Sequence, residues 1–148
     1  MNIIKEISAN ETYFLRISIL RKGKPIEFSY FTGDNEPTTC HFGYFKNEVL
    51  IGIVSLFKNN HRLFNQENQY QIRGMAVAEE HQHSGIGKKL IHHLENFCLE
   101  NNINFLWFNA RVSAQKFYEK LGYVAIGEVF PIEDAGPHIV MYKEKISI

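Results

Sequence analysis

Seven consecutive residues, Gln82-His83-Ser84-Gly85-Ile86-Gly87-Lys88, stand between the apolar run Met75-Ala76-Val77 and a stretch of helical periodicity that begins near Gly85. Glycines at 85 and 87 let backbone amides approach an anion closely, and a helix N-terminus behind them supplies unpaired N–H groups and a favourable dipole. The chemistry on offer is phosphate binding. A dinucleotide site would need a third glycine, which Gly85-Ile86-Gly87-Lys88-Lys89-Leu90 lacks. A nucleoside triphosphate site would need GxxxxGK[ST], which is absent too. An acyl-coenzyme A pyrophosphate and a purely structural turn both stay open.

Other side chains offer less. Zinc needs three or four convergent ligands, whereas His92 and His93 are neighbours on a helix and point apart, so no metal is expected there or at His81 and His83. Neither Cys40 nor Cys98 has a histidine at a spacing that marks an activated nucleophile, and two cysteines are too few for a disulfide framework. Trp107, in Phe105-Leu106-Trp107-Phe108, reads as packing, since no basic background surrounds it. Arg73 lies where it could recognise a carboxylate or join an ion pair.

These residues need a scaffold. With 148 residues, 45% hydrophobic and 14% aromatic, the chain is long enough to bury roughly 70% of its unfolded surface as one domain, residues 1–148. Sixteen basic and sixteen acidic side chains cancel, which argues against nucleic acid and anionic membrane as partners. No apolar run approaches ~20 residues and the N-terminus does not read as a secretory signal, so a cytoplasmic protein is expected.

Periodicity predicts the order strand, helix, three strands, helix, strand, helix, two strands, hence a mixed α/β sheet. Asn2 to Ile7 is a strand, and Ser8 or Asn10 caps a helix with Phe14, Leu15 and Ile19 inward. Glu27 to Thr39 is a loop or lid, with Tyr30 and Phe31 as candidates for a wall around a second substrate. A hairpin follows, Cys40–Phe45 and Val49–Phe57, joined through Lys46-Asn47-Glu48. Gln69 to Val77 is a strand with Arg73, Met75 and Val77 on one face. The helix after Gly85 is amphipathic through Ile86, Leu90, Leu94, Phe97 and Cys98, with Glu95 elsewhere on the wheel. Ile103 to Ala110 is a buried strand. Ser113 caps a helix with the stripe Ala114, Phe117, Tyr118 and Leu121, stopped by Gly122. Two strands, Tyr123–Phe130 and Ile139–Lys145, flank a loop from Pro131 to His138.

Met75-Ala76-Val77 followed by Gln82-x-x-Gly85-x-Gly87 opening a helix resembles the [Gln/Arg]xxGx[Gly/Ala] acyl-coenzyme A signature of the GNAT superfamily of N-acetyltransferases. Ala114-x-x-Phe117-Tyr118-Glu119-Lys120-Leu121-Gly122-Tyr123 looks like that superfamily's second hallmark. Leu20-Arg21-x-Gly23-x-Pro25 and Gly136-Pro137-His138-x-x-Met141 resemble a bacterial branch whose acceptors are largely unassigned. One position departs: where many relatives carry asparagine, three before Ala114, this chain has Arg111, with Asn109 two residues earlier.

The resemblance implies a mainly antiparallel central sheet flanked by helices, with a splayed cofactor cleft. It implies acetyl transfer from acetyl-CoA to a primary amine of a small molecule or peptide by direct attack, and it allows a homodimer. Met75, Ala76 and Val77 would bind pantetheine, and Gln82, His83, Ser84, Gly85, Ile86, Gly87, Lys88 and Lys89 the pyrophosphate, with Asn109, Arg111 and Tyr118 as further cofactor contacts. Tyr118 would be the acid for the departing thiolate, and His138 or Glu133 the base or amine anchor. Arg73, His41, Glu133 and His138 would line the acceptor site. The opposing reading is a noncatalytic acyl-CoA-binding regulatory protein, which needs the glycine loop but neither Tyr118 nor a base.

Overall fold

The computed structural model describes residues 1–146. Seven strands, β1 (Asn2–Ile7), β2 (Cys40–Lys46), β3 (Val49–Lys58), β4 (Tyr70–Val77), β5 (Phe105–Arg111), β6 (Val124–Ile132) and β7 (Gly136–Glu144), are ordered β1-β2-β3-β4-β5-β7-β6. The β1/β2, β2/β3, β5/β7 and β6/β7 pairs are antiparallel and β4/β5 is parallel. With helices α1 (Ala9–Leu15), α2 (Ile86–Glu100) and α3 (Gln115–Lys120), this is the mixed α/β sheet the element order predicts, and it is mainly antiparallel, as the resemblance implies. The chain divides into two compact units, Met1–Phe57 with Ile72–Phe97, and Lys58–Gln71 with Cys98 onward.

In the first unit, α1 begins at a capping box: the Glu11 N–H donates to Ser8 Oγ at 3.3 Å, and the Ser8 N–H donates to Glu11 Oε1 at 2.9 Å. Phe14 does not face inward as its place in the sequence suggests; it is 75% exposed. The buried positions are Ala9, Thr12, Leu15 and Arg16, and at 100° per residue Phe14 lies opposite that stripe. A π-helical turn, Arg16–Leu20, continues the helix. The β2–β3 hairpin turns on Asn47 and Glu48, at φ 49° and 70°, the left-handed pair of a two-residue hairpin turn. Along α2, buried residues include Ile86, Leu90, Ile91, Leu94 and Glu95. This arc covers half the wheel, so Glu95 is inside where a narrow stripe would leave it out.

Beside the small apolar cluster of Ile7, Leu15, Ile53 and Ala76, the unit encloses a polar network. Arg16, wholly buried, forks onto Asp34 at 2.7 and 3.0 Å, reaches the Ser29 carbonyl at 3.0 Å, and donates to Ser55 Oγ at 3.1 Å. His41 contacts Ser55 Oγ through Nδ1 at 2.6 Å and the Asp34 carbonyl through Nε2 at 2.9 Å. A carbonyl oxygen only accepts, so Nε2 carries the proton and Nδ1 accepts from the Ser55 hydroxyl. Every link then has one donor and one acceptor, provided His41 is neutral. Burial pushes the His41 pKa down from its usual value, outweighing the bond to Asp34.

A histidine held neutral in the fold but free to protonate when unfolded makes the unfolded state bind more protons below pH ~6.5. Stability conferred by the neutral ring is complete above that pH and is lost as pH falls further. The unfolding midpoint of the wild type is therefore expected to drop on acidification from pH 7 to 5, and to drop less in His41→Gln. Parallel thermal scans check this; identical slopes would remove His41 as the cause.

In the second unit, β7 pairs with both β5 and β6. Phe105, Trp107 and Val140 form its cluster with Phe64, Ile126, Phe130 and Tyr142 packed against them, and Trp107 Nε1 donates to the Asn59 carbonyl at 2.8 Å. Trp107 is packing. β5 starts at Phe105 rather than Ile103, whose N–H instead closes the end of α2 on the Cys98 carbonyl at 2.9 Å. Ser113 does not cap α3: a 3-10 turn, Val112–Ala114, precedes the helix, and Ala114 holds the cap position without a side-chain bond. Phe117 is 39% exposed, outside an inward stripe. The loop expected from Pro131 to His138 contracts to a turn at 133–135, because β6 runs to Ile132 and β7 starts at Gly136.

Candidate functional site

In the first unit, β4 leads into the glycine loop. Its Gly74 has φ 66°, a left-handed value inside a strand, and a Cβ there would stand 3.0 Å from the Phe31 ring and 3.5 Å from Arg16 Nε. Only glycine meets both demands at no cost, and it does so inside β4, which continues unbroken through Met75 to Val77. Residue alternation along the strand carries no sign of this. Arg73, Met75 and Val77 are half-buried and Ala76 is buried.

After Val77 the chain is tied down twice: the Ala78 N–H donates to the Ile51 carbonyl at 2.8 Å, and Gln82 Nε2 donates to the Val77 carbonyl at 3.0 Å. Gln82 thus fixes the loop by bonding back to the strand. The Ser84 hydroxyl donates to the His81 carbonyl. His83 and Gly85 adopt φ 63° and 84°, and residues 82–85, 88 and 89 are exposed. The Lys89 N–H bonds the Gly85 carbonyl at 3.1 Å, so the amides of residues 86–88, one residue or more before it, belong to the first turn that lacks intrahelical acceptors. Ile86 is buried and anchors this turn. Amides without intrahelical acceptors at a helix start, with Lys88 and Lys89 beside them, are chemically suited to an anion.

The same unit contains Arg73 and His41. The Arg73 guanidinium lies over the Phe31 and Phe57 rings at 4.6 and 5.2 Å. His41 has both ring nitrogens committed inside the Arg16 network, so no atom is left to hold a substrate, and we assign it to that network. The Cys40 thiol is pushed up to about 11, by burial first and then by Glu6. It is not a thiolate at neutral pH and does not supply a nucleophile.

The second unit holds the remaining candidates. Tyr118, half-buried on α3, packs its ring against Phe108 of β5 at 4.5 Å and Phe117 at 5.0 Å. Burial pushes its phenol up to about 12, so it is a proton-bearing group throughout the neutral range. Asn109 and Arg111 are both exposed, two residues apart on one face of β5, which continues to Arg111. In the β5/β7 ladder Arg111 stands opposite His138. His138 is 5% exposed, its Nδ1 is 2.8 Å from the Gly136 carbonyl, and its ring is 6.2 Å from that of Phe130. Because that carbonyl must accept, Nδ1 carries a proton, so that in the neutral ring Nε2 is the nitrogen with the lone pair, the arrangement a base requires. Glu133 is exposed in the β6–β7 turn.

Arg21 and Glu27, which spacing does not mark as site residues, line a pocket with Arg73 and Phe31. The only hint was the place of Arg21 in Leu20-Arg21-x-Gly23-x-Pro25.

The model of the Acetyltransferase (GNAT) family matches residues 7–123. An uncharacterized N-acetyltransferase, YitI, of Bacillus subtilis is 36% identical over 140 residues, covering 95% of this chain and 94% of its own. Among solved structures, Escherichia coli ElaA superposes with a TM-score of 0.79 at 20% identity, over 97% of this chain and 100% of that one. The ribosomal-protein-S18-alanine N-acetyltransferase of Escherichia coli gives 0.77 at 17% identity, over 100% and 96%; at these identities the likeness is one of fold. The family match and the YitI relationship together establish that this chain belongs to the GNAT family of acetyltransferases.

Proposed function

We propose that the protein uses acetyl-CoA to acetylate a primary amine of a small molecule or peptide by direct attack, in the cytoplasm. The observation that carries this reading is the exposed glycine loop, whose first-turn amides and two lysines suit a pyrophosphate. Backbone groups of Met75, Ala76 and Val77, next to the left-handed Gly74, suit pantetheine amides as an added strand would, and Asn109 and Arg111 add contacts.

Attack requires an unprotonated amine: nitrogen bonds the acetyl carbonyl carbon, the carbon–sulfur bond breaks, and the amine proton leaves. Nε2 of His138 takes that proton, and the exposed Glu133 carboxylate holds the incoming amine by accepting a hydrogen bond from it. Tyr118 donates a hydrogen bond to the sulfur as charge develops there. No covalent enzyme intermediate is used, in keeping with a Cys40 thiol near 11.

Gly85 isolates the contribution of the loop. Nothing lies within 4 Å of a Cβ built there, so alanine introduces no clash, only the left-handed penalty of about 1–2 kcal/mol. Gly85→Ala is expected to weaken acetyl-CoA binding about tenfold in calorimetry, since ~1.4 kcal/mol is a factor of ten. Unchanged affinity would take the loop out of the cofactor site. The noncatalytic reading is separated by free-thiol release: it predicts acetyl-CoA binding with no amine-dependent release.

A further inference from the structure

The first unit carries a pocket whose lining combines charged and aromatic side chains, none of them among the residues assigned above to the cofactor. It has a volume of about 390 Å³ and is lined by Arg21, Glu27, Phe28, Tyr30, Phe31 and Arg73 among others, a size typical of small-molecule sites. Three guanidinium groups gather on the Phe31 ring: Arg16 at 3.8 Å, Arg73 at 4.6 Å and Arg21 at 5.5 Å. Asp34 does not neutralise them all. Both its oxygens are held by Arg16, and one also accepts the Phe31 N–H at 2.9 Å.

Arg21 donates to the Leu20 carbonyl at 3.1 Å, and neither it nor Arg73 forms an ion pair with an acid among the described residues. Burial, then Arg16 and Arg21, push the Arg73 pKa below the usual arginine range. A guanidinium stays charged even so, and the unfavourable crowding is relieved by an anion. Two arginines against Glu27 leave one positive charge in excess. Phe28 and Tyr30, 48% and 52% exposed, give the mouth an apolar wall. Arg73 is two residues before Met75, on the strand assigned to pantetheine.

Resting on the acetyltransferase reading, we propose that this pocket is the acceptor subsite and that the acceptor is an amino-carboxylic acid, its single carboxylate gripped by Arg21 and Arg73 over Phe31. Planar guanidinium forks match a carboxylate through paired hydrogen bonds, and the aromatic mouth receives the apolar part of the acid.

The test measures thiol release at saturating acetyl-CoA with the proteinogenic amino acids, their carboxamides, and phosphoethanolamine as a phosphate-bearing amine, alongside calorimetry of acetyl-CoA. The best amino acid is expected to exceed its own carboxamide at least tenfold in kcat/KM. That ratio is expected to fall below about threefold in Arg73→Gln and in Arg21→Gln, with Arg73→Lys in between. Because each variant is compared with itself, partial unfolding does not imitate the result, and Arg21→Gln reads the same ratio if Arg73→Gln fails to fold. Carboxamides as good as acids, phosphoethanolamine as the better substrate, or no acetylated amino acid despite acetyl-CoA binding would overturn the acceptor class and leave the transferase reading standing. Failure to bind acetyl-CoA would overturn the transferase reading and this one with it.

Discussion

Arg16→Met is expected to destabilise the protein by about 3–5 kcal/mol, the usual cost of removing one partner from a buried ion pair. The arginine is wholly buried, and its side chain supplies four hydrogen bonds, two to Asp34 and one each to the Ser29 carbonyl and Ser55. Methionine replaces much of the aliphatic volume but none of the donors, so the Asp34 carboxylate, 6% exposed, is left charged and without its cation. Its surviving bond is the Phe31 N–H. Since a domain of this size has a net stability of about 5–15 kcal/mol, the urea midpoint should fall by a large fraction. Replacing both charges, in Arg16→Met with Asp34→Leu, should recover part of the loss, because the penalty lies in the stranded carboxylate more than in the missing attraction. Urea unfolding of the three variants at pH 7 checks this. A loss below about 1 kcal/mol for Arg16→Met would show that the network does not anchor the fold.

Much of the fold was legible because hydrophobic period, caps and turns agreed with one another. The helix cap at Ser8 or Asn10, the hairpin through Lys46-Asn47-Glu48 and the glycine stop at Gly122 are local signals, decided by residues within a few positions. What escaped was decided by partners far along the chain. Arg16 looks like a surface residue in a helix until Asp34, Ser29 and Ser55 are brought around it, at separations of 18, 13 and 39 residues. Phe14 looks like core until that arginine claims the inward face. Gly74 reads as an ordinary small residue in a strand; its left-handed φ and the close approach of Phe31 and Arg16 are seen only in the folded chain. The glycine loop was visible for the opposite reason, since its amides and the helix behind them are contiguous. His138 was placed in a loop by its neighbours Gly136 and Pro137, yet those two residues pair with Ile132 and Pro131 as part of the ladder, and the strand supplies the fixed ring orientation. Arg21 and Glu27 come together with Arg73 only through folding, which is why spacing alone did not mark them.

Tyr118→Phe is expected to lower kcat by between about tenfold and 100-fold while changing the acetyl-CoA dissociation constant less than about twofold. The substitution removes one oxygen and keeps the ring, so the packing against Phe108 and Phe117 at 4.5 and 5.0 Å survives; the fold should not suffer. The magnitude follows from what a phenol can do. With its pKa pushed up to about 12 by burial, it lies above an ordinary thiol near 8.5, and outright transfer of its proton to the departing sulfur is uphill by about 5 kcal/mol. Donating a hydrogen bond to the developing thiolate is the lower-energy role, and bonds to charged groups contribute about 1.5–3 kcal/mol, which sets the tenfold to 100-fold range. Because the stabilised charge exists only as the carbon–sulfur bond breaks, the loss belongs to kcat and not to ground-state affinity. The sign of the pH effect follows as well: the phenol keeps its proton below about pH 11, so any fall in rate between pH 7 and 10 must come from another group and should persist in Tyr118→Phe. Turnover equal to wild type would remove Tyr118 from the reaction, and a loss confined to cofactor affinity would make it a binding residue.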